Sequence, residues 1–131
     1  MKDNKKSTEL CPCESGNPFK SCCQPYVEQT REAATAEALM RSRYTAFALL
    51  NEDYLRHSWH PDNCPKTIHL NKNTKWLGLK IKNTKAGNAD DKTGKVEFVA
   101  RNKINGKASR LHEISRFTRF ENRWVYVNGN G

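Results

Sequence analysis

No stretch of this 131-residue chain approaches the ~20 consecutive apolar residues that a membrane-crossing helix needs, so membrane insertion is not expected. The opening residues, Met1 to Leu10, carry charge but no apolar run, which removes the secretory-leader reading and points to the cytoplasm, where thiols stay reduced. Internal repeats and low-complexity tracts are missing, and the length accommodates one ordinary core rather than two. Carboxylates are scarce: 14 Asp and Glu stand against 23 Lys and Arg, a net charge of +9. Such an excess favours polyanionic partners such as a ribosome, RNA or an acidic protein, yet the basic residues look evenly spread, as a merely solvated surface would also have them. No RNA-recognition or helix-turn-helix signature accompanies the charge, which argues against sequence-specific reading of nucleic acid.

Cysteine, by contrast, is concentrated. Four of the five cysteines fall in Cys11-Pro12-Cys13-Glu14-Ser15-Gly16-Asn17-Pro18-Phe19-Lys20-Ser21-Cys22-Cys23. Two thiols one residue apart and two adjacent ones, joined by a polar, turn-forming loop, can wrap a tetrahedral soft cation with bonds of ~2.3 Å. A disulfide framework would want an oxidising compartment and an even count, and the count is five. Cys11, Cys13, Cys22 and Cys23 are therefore the expected ligands of zinc, with iron as the alternative metal. Cys64, between Asn63 and Pro65 in a turn-like stretch, is expected to stand apart from them. Four thiolates close the coordination sphere, so the site is read as structural or recognition-bearing rather than hydrolytic, and no catalytic residue is assigned.

The Cys-x-Cys, eight residues, Cys-Cys spacing resembles the SEC-C motif at the carboxyl end of the SecA translocation motor. Further segments, Thr35-Ala36-Glu37-Ala38-Leu39-Met40-Arg41-Ser42-Arg43-Tyr44, Trp59-His60-Pro61, Trp76-Leu77-Gly78-Leu79, Val96 to Arg101 and Leu111-His112-Glu113, resemble the YchJ-type family in order along nearly the whole chain. The resemblance implies an N-terminal metal knuckle followed by an NTF2-like domain, and a protein-interaction role near translation or export, with a SecB-like chaperone or the ribosome as partner. Glu14 departs from the glycine common at its position in SEC-C proteins, which suggests either that the site needs no positive φ or that the loop is remodelled. Some relatives carry a second cysteine motif at the carboxyl end, where this chain has Asn128-Gly129-Asn130-Gly131.

The expected organisation is a tail and knuckle over residues 1–27 and an α+β domain over 28–131. Thr35 caps a helix with apolar positions Ala36, Leu39, Met40, Phe47 and Leu50. Asn51 and Asp53 interrupt it, and a short helix follows near Tyr54 to Trp59. The period then turns to two: Leu77, Leu79 and Ile81, then Val96, Phe98 and Ala100, predict strands joined through residues 84–94, with a hairpin at Glu121-Asn122 to close the sheet. Helices followed by antiparallel strands predict an α+β layer arrangement, and the family resemblance makes it an NTF2-like cone, helices packed on a curved sheet.

Such a cone hosts enzymes and pure binders alike, so the second reading is a small-molecule-binding or enzymatic pocket. Its candidate residues are Tyr44, His60, Trp76, Glu97, His112, Glu113 and Arg116, titratable or aromatic groups on otherwise apolar elements. Each also has a plainer role. Glu113 between Arg110 and Arg116 suggests a cross-strand ion pair, His60 a helix-end contact, and Trp59, Trp76 and Trp124 core packing. One of Arg41 and Arg43 is expected to reach sheet carboxylates such as Glu97 and the other solvent. Oligomeric state is left open.

Overall fold

The computed structural model describes residues 9–130. They form a 3-10 turn (Phe19–Ser21), helices α1 (Gln24–Val27), α2 (Ala36–Ala48) and α3 (Glu52–His57), and strands β1 (Thr74–Ala86), β2 (Thr93–Ile104), β3 (Lys107–Phe120) and β4 (Arg123–Asn130). Helix α2 begins where expected: Thr35 is extended and its hydroxyl accepts the Ala38 N–H at 3.1 Å. It ends with Leu50 in the left-handed region (φ 58°), and the Asn51 N–H closes back on the Ala46 carbonyl at 2.8 Å, a 6→1 termination normally built with glycine. Asn51 is thus a joint rather than an interruption, because its side chain then caps α3 by accepting the Tyr54 N–H at 3.0 Å.

The strands form one antiparallel sheet in the order β1-β2-β3-β4. Two-residue turns with positive φ at both positions, Asn105-Gly106 and Glu121-Asn122, join the last three, a geometry that matches the natural strand twist. The first connection is shorter than the sequence implied, since β1 runs to Ala86 and β2 starts at Thr93. Gly87 belongs in that turn for a physical reason: φ is 81° and an added Cβ would lie 2.8 Å from the Ala36 Cβ, just where the Ala36 N–H donates to the Gly87 carbonyl.

One sheet face packs on α2. Leu79, Val96, Phe98, Ala100, Phe117 and Trp124 are buried there against Leu39, Met40 and Tyr44, and the Trp124 indole N–H donates to the Ala34 carbonyl at 3.1 Å. Register shifts at Trp76/Gly78 and Ile81/Asn83 in β1, and at Arg116/Phe117 on β3, bend the sheet around the helix. The first shift displaces Leu77 from the alternation and leaves it exposed. Among the described residues no helix is long and apolar enough to cross a membrane.

Neither arginine of α2 does what the sequence suggested. Arg43 is fully buried, its guanidinium lying 4.7 Å from the Trp59 ring centroid and 4.4 Å from that of Tyr126. It donates to the Leu55 carbonyl and the Ser58 hydroxyl, and burial pushes its pKa down to about 10. Arg41 turns toward the knuckle, and Glu97 lies on the opposite sheet face from both.

Candidate metal centre

Local geometry brings the cysteines together. The Cys11 N–H donates to the Asn17 carbonyl at 2.9 Å and the Phe19 N–H to the Glu9 carbonyl at 2.8 Å, so residues 9–19 fold back as a tight hairpin. The 3-10 turn and the first turn of α1, with Pro25 preset for a helix start, then carry Cys22 and Cys23 against Cys11 and Cys13. All four Sγ atoms lie within 4.8 Å of one another. Cys13 and Cys22 are 3.6 Å apart and Cys22 and Cys23 4.0 Å, far beyond a ~2.05 Å disulfide bond. A tetrahedron with ~2.3 Å metal–sulfur bonds has edges of about 3.8 Å, so the four sulfurs fit a divalent ion with little movement. Cys11, Cys13 and Cys23 are buried and Cys22 is half-buried, while Cys64 lies outside the group, its sulfur accepting from Arg56 at 3.6 Å.

The charge distribution within the group suits a cation. Hydrogen bonds from Cys11 and then Cys23 pull the Cys13 thiol far below its usual range. Those to Cys11 and Cys13 push Cys23 up, and burial pushes Cys22 up to about 11. These directions favour negative charge on Cys13 and protons on Cys22 and Cys23, which a divalent ion would displace.

Side chains distant in sequence hold the group in place. The Arg41 guanidinium donates to the Cys13 carbonyl at 3.0 Å, sits 3.9 Å from its sulfur and is braced by Glu37 at 3.0 Å. Thr45, one turn later on α2, lies 3.7 Å from the Cys11 sulfur, and the Ser15 hydroxyl 3.1 Å from that of Cys22. None of the three is singled out by sequence pattern; only the Glu37–Arg41 spacing is visible there, as an ordinary helical ion pair. Glu14 does adopt positive φ, 61°, so the backbone keeps the conformation that favours glycine. Its carboxylate lies against Gly78 of β1, where a Cβ would approach to 2.8 Å.

The pocket candidates do not converge. Tyr44 and Trp76 stack edge to face at 5.4 Å and border a groove of about 440 Å³ between knuckle and β1. Tyr44 also lines a half-open cavity of about 160 Å³ with Arg43, Glu113 and Tyr126. There Glu113 accepts from the Ser115 hydroxyl at 2.7 Å and from Tyr126 at 3.4 Å instead of pairing with Arg110 or Arg116. Burial pushes both Tyr44 and Tyr126 up to about 12. Glu97 and His112 bond to each other at 2.7 Å on the far sheet face, which also carries Arg116, bonded to Asn128. The His60 ring packs edge-on against Phe120 at 5.1 Å, while its backbone N–H donates to the Tyr126 carbonyl at 2.8 Å.

A family model described as the YchJ middle NTF2-like domain matches residues 35–129, and a SEC-C motif model matches residues 8–25. The chain belongs to the YchJ-type, or UPF0225, family. A UPF0225 protein of Chromobacterium violaceum is 48% identical, the match covering 98% of each chain. One of Bordetella pertussis is 45% identical over 99% of this chain and 98% of its own. A SEC-C motif containing protein from Rhodopseudomonas palustris, its structure solved in solution, superposes with a TM-score of 0.82 at 33% identity over 92% of this chain and 97% of its own. A crystal structure of a SEC-C motif containing protein from Psychrobacter arcticus gives 0.76 at 26% identity over 95% and 83%. The UPF0225 chain described here is therefore α+β with an NTF2-like domain, preceded by a cysteine cluster of metal-binding type.

Proposed function

We propose that this protein is a zinc-dependent docking module of the cytoplasm, in which the ion fixes the shape of the knuckle and the knuckle meets a protein partner at the translation or export machinery, a SecB-like chaperone or the ribosome. The observation that carries the reading is the closed thiolate set, four sulfurs within 4.8 Å with three of them buried against α2. Such a set leaves no ligand position for an activated water, and it orders a segment too short to bury a core of its own. Zinc suits four thiolates, and iron is the alternative.

The interior of the cone supports the same choice. Trp124, Phe117, Phe98 and Leu39 fill it, and the half-open cavity beside Arg43, Glu113 and Tyr126, about 160 Å³, falls below the ~300 Å³ at which small-molecule sites usually begin. The groove of about 440 Å³ at Tyr44 and Trp76 lies outside the cone, against the knuckle.

Metal analysis of the purified chain is expected to return one zinc per molecule. Co-sedimentation with ribosomes and calorimetry with a purified SecB-type chaperone, at physiological salt, then compare the metal-loaded chain with Cys22→Ser. Binding to one partner that disappears in the variant, while the sheet stays folded, supports the reading. Binding that survives the loss of metal overturns it.

A further inference from the structure

The outer face of the sheet, opposite α2, is not the evenly mixed surface that the sequence suggests. Alternate residues of a strand share a face, so basic residues scattered two apart along the chain collect on one side. Lys85 of β1, Lys95 of β2 and Arg116 of β3 are direct neighbours in one row. Arg101 and Arg110 flank each other in another, beside Gly78, and Lys75 stands beside Lys103 in a third. Lys80 lies between, next to Val99 and His112. All eight lysines and arginines are exposed, and none has an ion-pair partner among the described residues. Two carboxylates reach these rows: Glu97, taken by His112 at 2.7 Å, and Glu14 of the knuckle, which lies against Gly78 beside Arg101 and Arg110 without an ion-pair contact to either. Arg41, Arg56, Arg123 and His57, by contrast, pair with Glu37, Glu52, Glu121 and Glu32, away from this face. Grooves of about 350 and 310 Å³ open at its two ends, the first lined by Lys80, Lys82, Arg101 and Arg110 with Glu14 at its side, and the second by Lys85, Lys95 and Arg116 around Phe117 and Val127.

We infer that this face is a docking surface for the phosphate backbone of duplex RNA. Eight unpaired cations over an area about 27 Å long and 10 Å wide, from strand spacings, complement a polyphosphate far better than a protein. A protein interface needs an apolar or aromatic centre, and the middle of this face offers only Val99, already buried between its neighbours, Ile114 and Ala108, while Phe117 and Val127 are confined to the groove at one end. His112 is the aromatic ring at those positions, and its bond to Glu97 ties it down rather than leaving a free platform for stacking single-stranded bases. The two-residue turn between β2 and β3 leaves no wing to enter a B-DNA major groove, whereas a broad, outward-curved face can lie across the wide, shallow minor groove of an A-form helix. The site goes beyond the knuckle reading and does not involve the metal.

Fluorescence anisotropy with a labelled 20-base-pair RNA duplex of mixed sequence tests it, run against a DNA duplex of the same sequence and a polyglutamate peptide. Salt-sensitive RNA binding is expected. The triple variant Lys85→Gln, Lys95→Gln, Arg116→Gln should lower the magnitude of the salt slope by about 3 and weaken binding at least about tenfold at 0.1 M salt. The charge-matched variant Lys20→Gln, Arg31→Gln, Lys66→Gln, all exposed and off this face, should keep the native slope. Cys22→Ser should bind the duplex as the native chain does, which separates this inference from the knuckle reading. Equal loss in the two triple variants would reduce the effect to net charge and overturn the inference, as would absent RNA binding or equally tight binding of DNA or polyglutamate. Should the triple variant misfold, Lys95→Gln alone is expected to lower the slope by about 1, and an unchanged slope overturns the inference.

Discussion

Residues 10–27 hold their shape around four sulfurs, whereas residues 74–130 hold theirs through side chains packed on one face of a sheet. In the first region the stabilising contacts are few and local, backbone turns around four thiols of metal-binding type. In the second they are many, individually weak and spread over α2, β2, β3 and β4. Arg41 and Thr45 are where the two regimes meet, because both belong to the helix that the sheet packs against and both touch the cysteine group. Placing a segment of metal-binding type on a self-supporting core makes it possible to change the one without losing the other.

The sharpest way to separate them is to take the metal away. A high-affinity chelator is expected to strip amide protection from residues 10–27 while Val96, Phe98 and Phe117 stay protected in hydrogen exchange, a loss drawn from a binding term of order ~10 kcal/mol for structural zinc. Collapse of the whole sheet would show one cooperative unit instead of two. The converse perturbation is Trp124→Ala, which removes a fully buried indole and its bond to Ala34 and should cost about 3–5 kcal/mol in urea denaturation. Arg41→Ala strikes the junction. Metal affinity should fall about 10–100-fold in a chelator competition, with partial recovery in Arg41→Lys. Smallest is Thr35→Ala, which removes the cap of α2 at a cost of about 1 kcal/mol in thermal unfolding while metal affinity stays unchanged.

The same contrast explains what could be read from the sequence. The cysteine cluster was legible because all four lie within thirteen residues, where backbone turns alone can gather them. The α2 cap and the alternation of Val96, Phe98 and Ala100 were legible for the same local reason. Arg41 was not, since its partner lies 28 residues away and an arginine beside a cysteine loop has no spacing rule. Arg43 was misread as a surface or sheet-pairing group because its burial depends on two aromatic faces, Trp59 and Tyr126, brought in from separate elements. Glu113 followed a flanking-charge argument toward an ion pair, but the strand period sends it to the other face, where Ser115 and Tyr126 hold it. The sheet's charge asymmetry was hidden because alternation along three strands looks like uniform spacing until the register is known.

Strand β1 pairs only with β2 in this sheet and presents its other side unpaired among the described residues. An edge strand of thirteen residues, flanked by the knuckle only near Trp76 to Gly78, is an open invitation for a second chain to extend the ladder, the first step toward insoluble fibres. Here two backbone irregularities break the repeat, and Lys75, Lys80, Lys82 and Lys85 place charge along nearly its full length, so an approaching copy would meet both mismatched geometry and like-charge repulsion. The crowding of lysine on β1 thereby opposes self-association, and replacing those lysines with threonine or valine is expected to cost solubility before it costs fold.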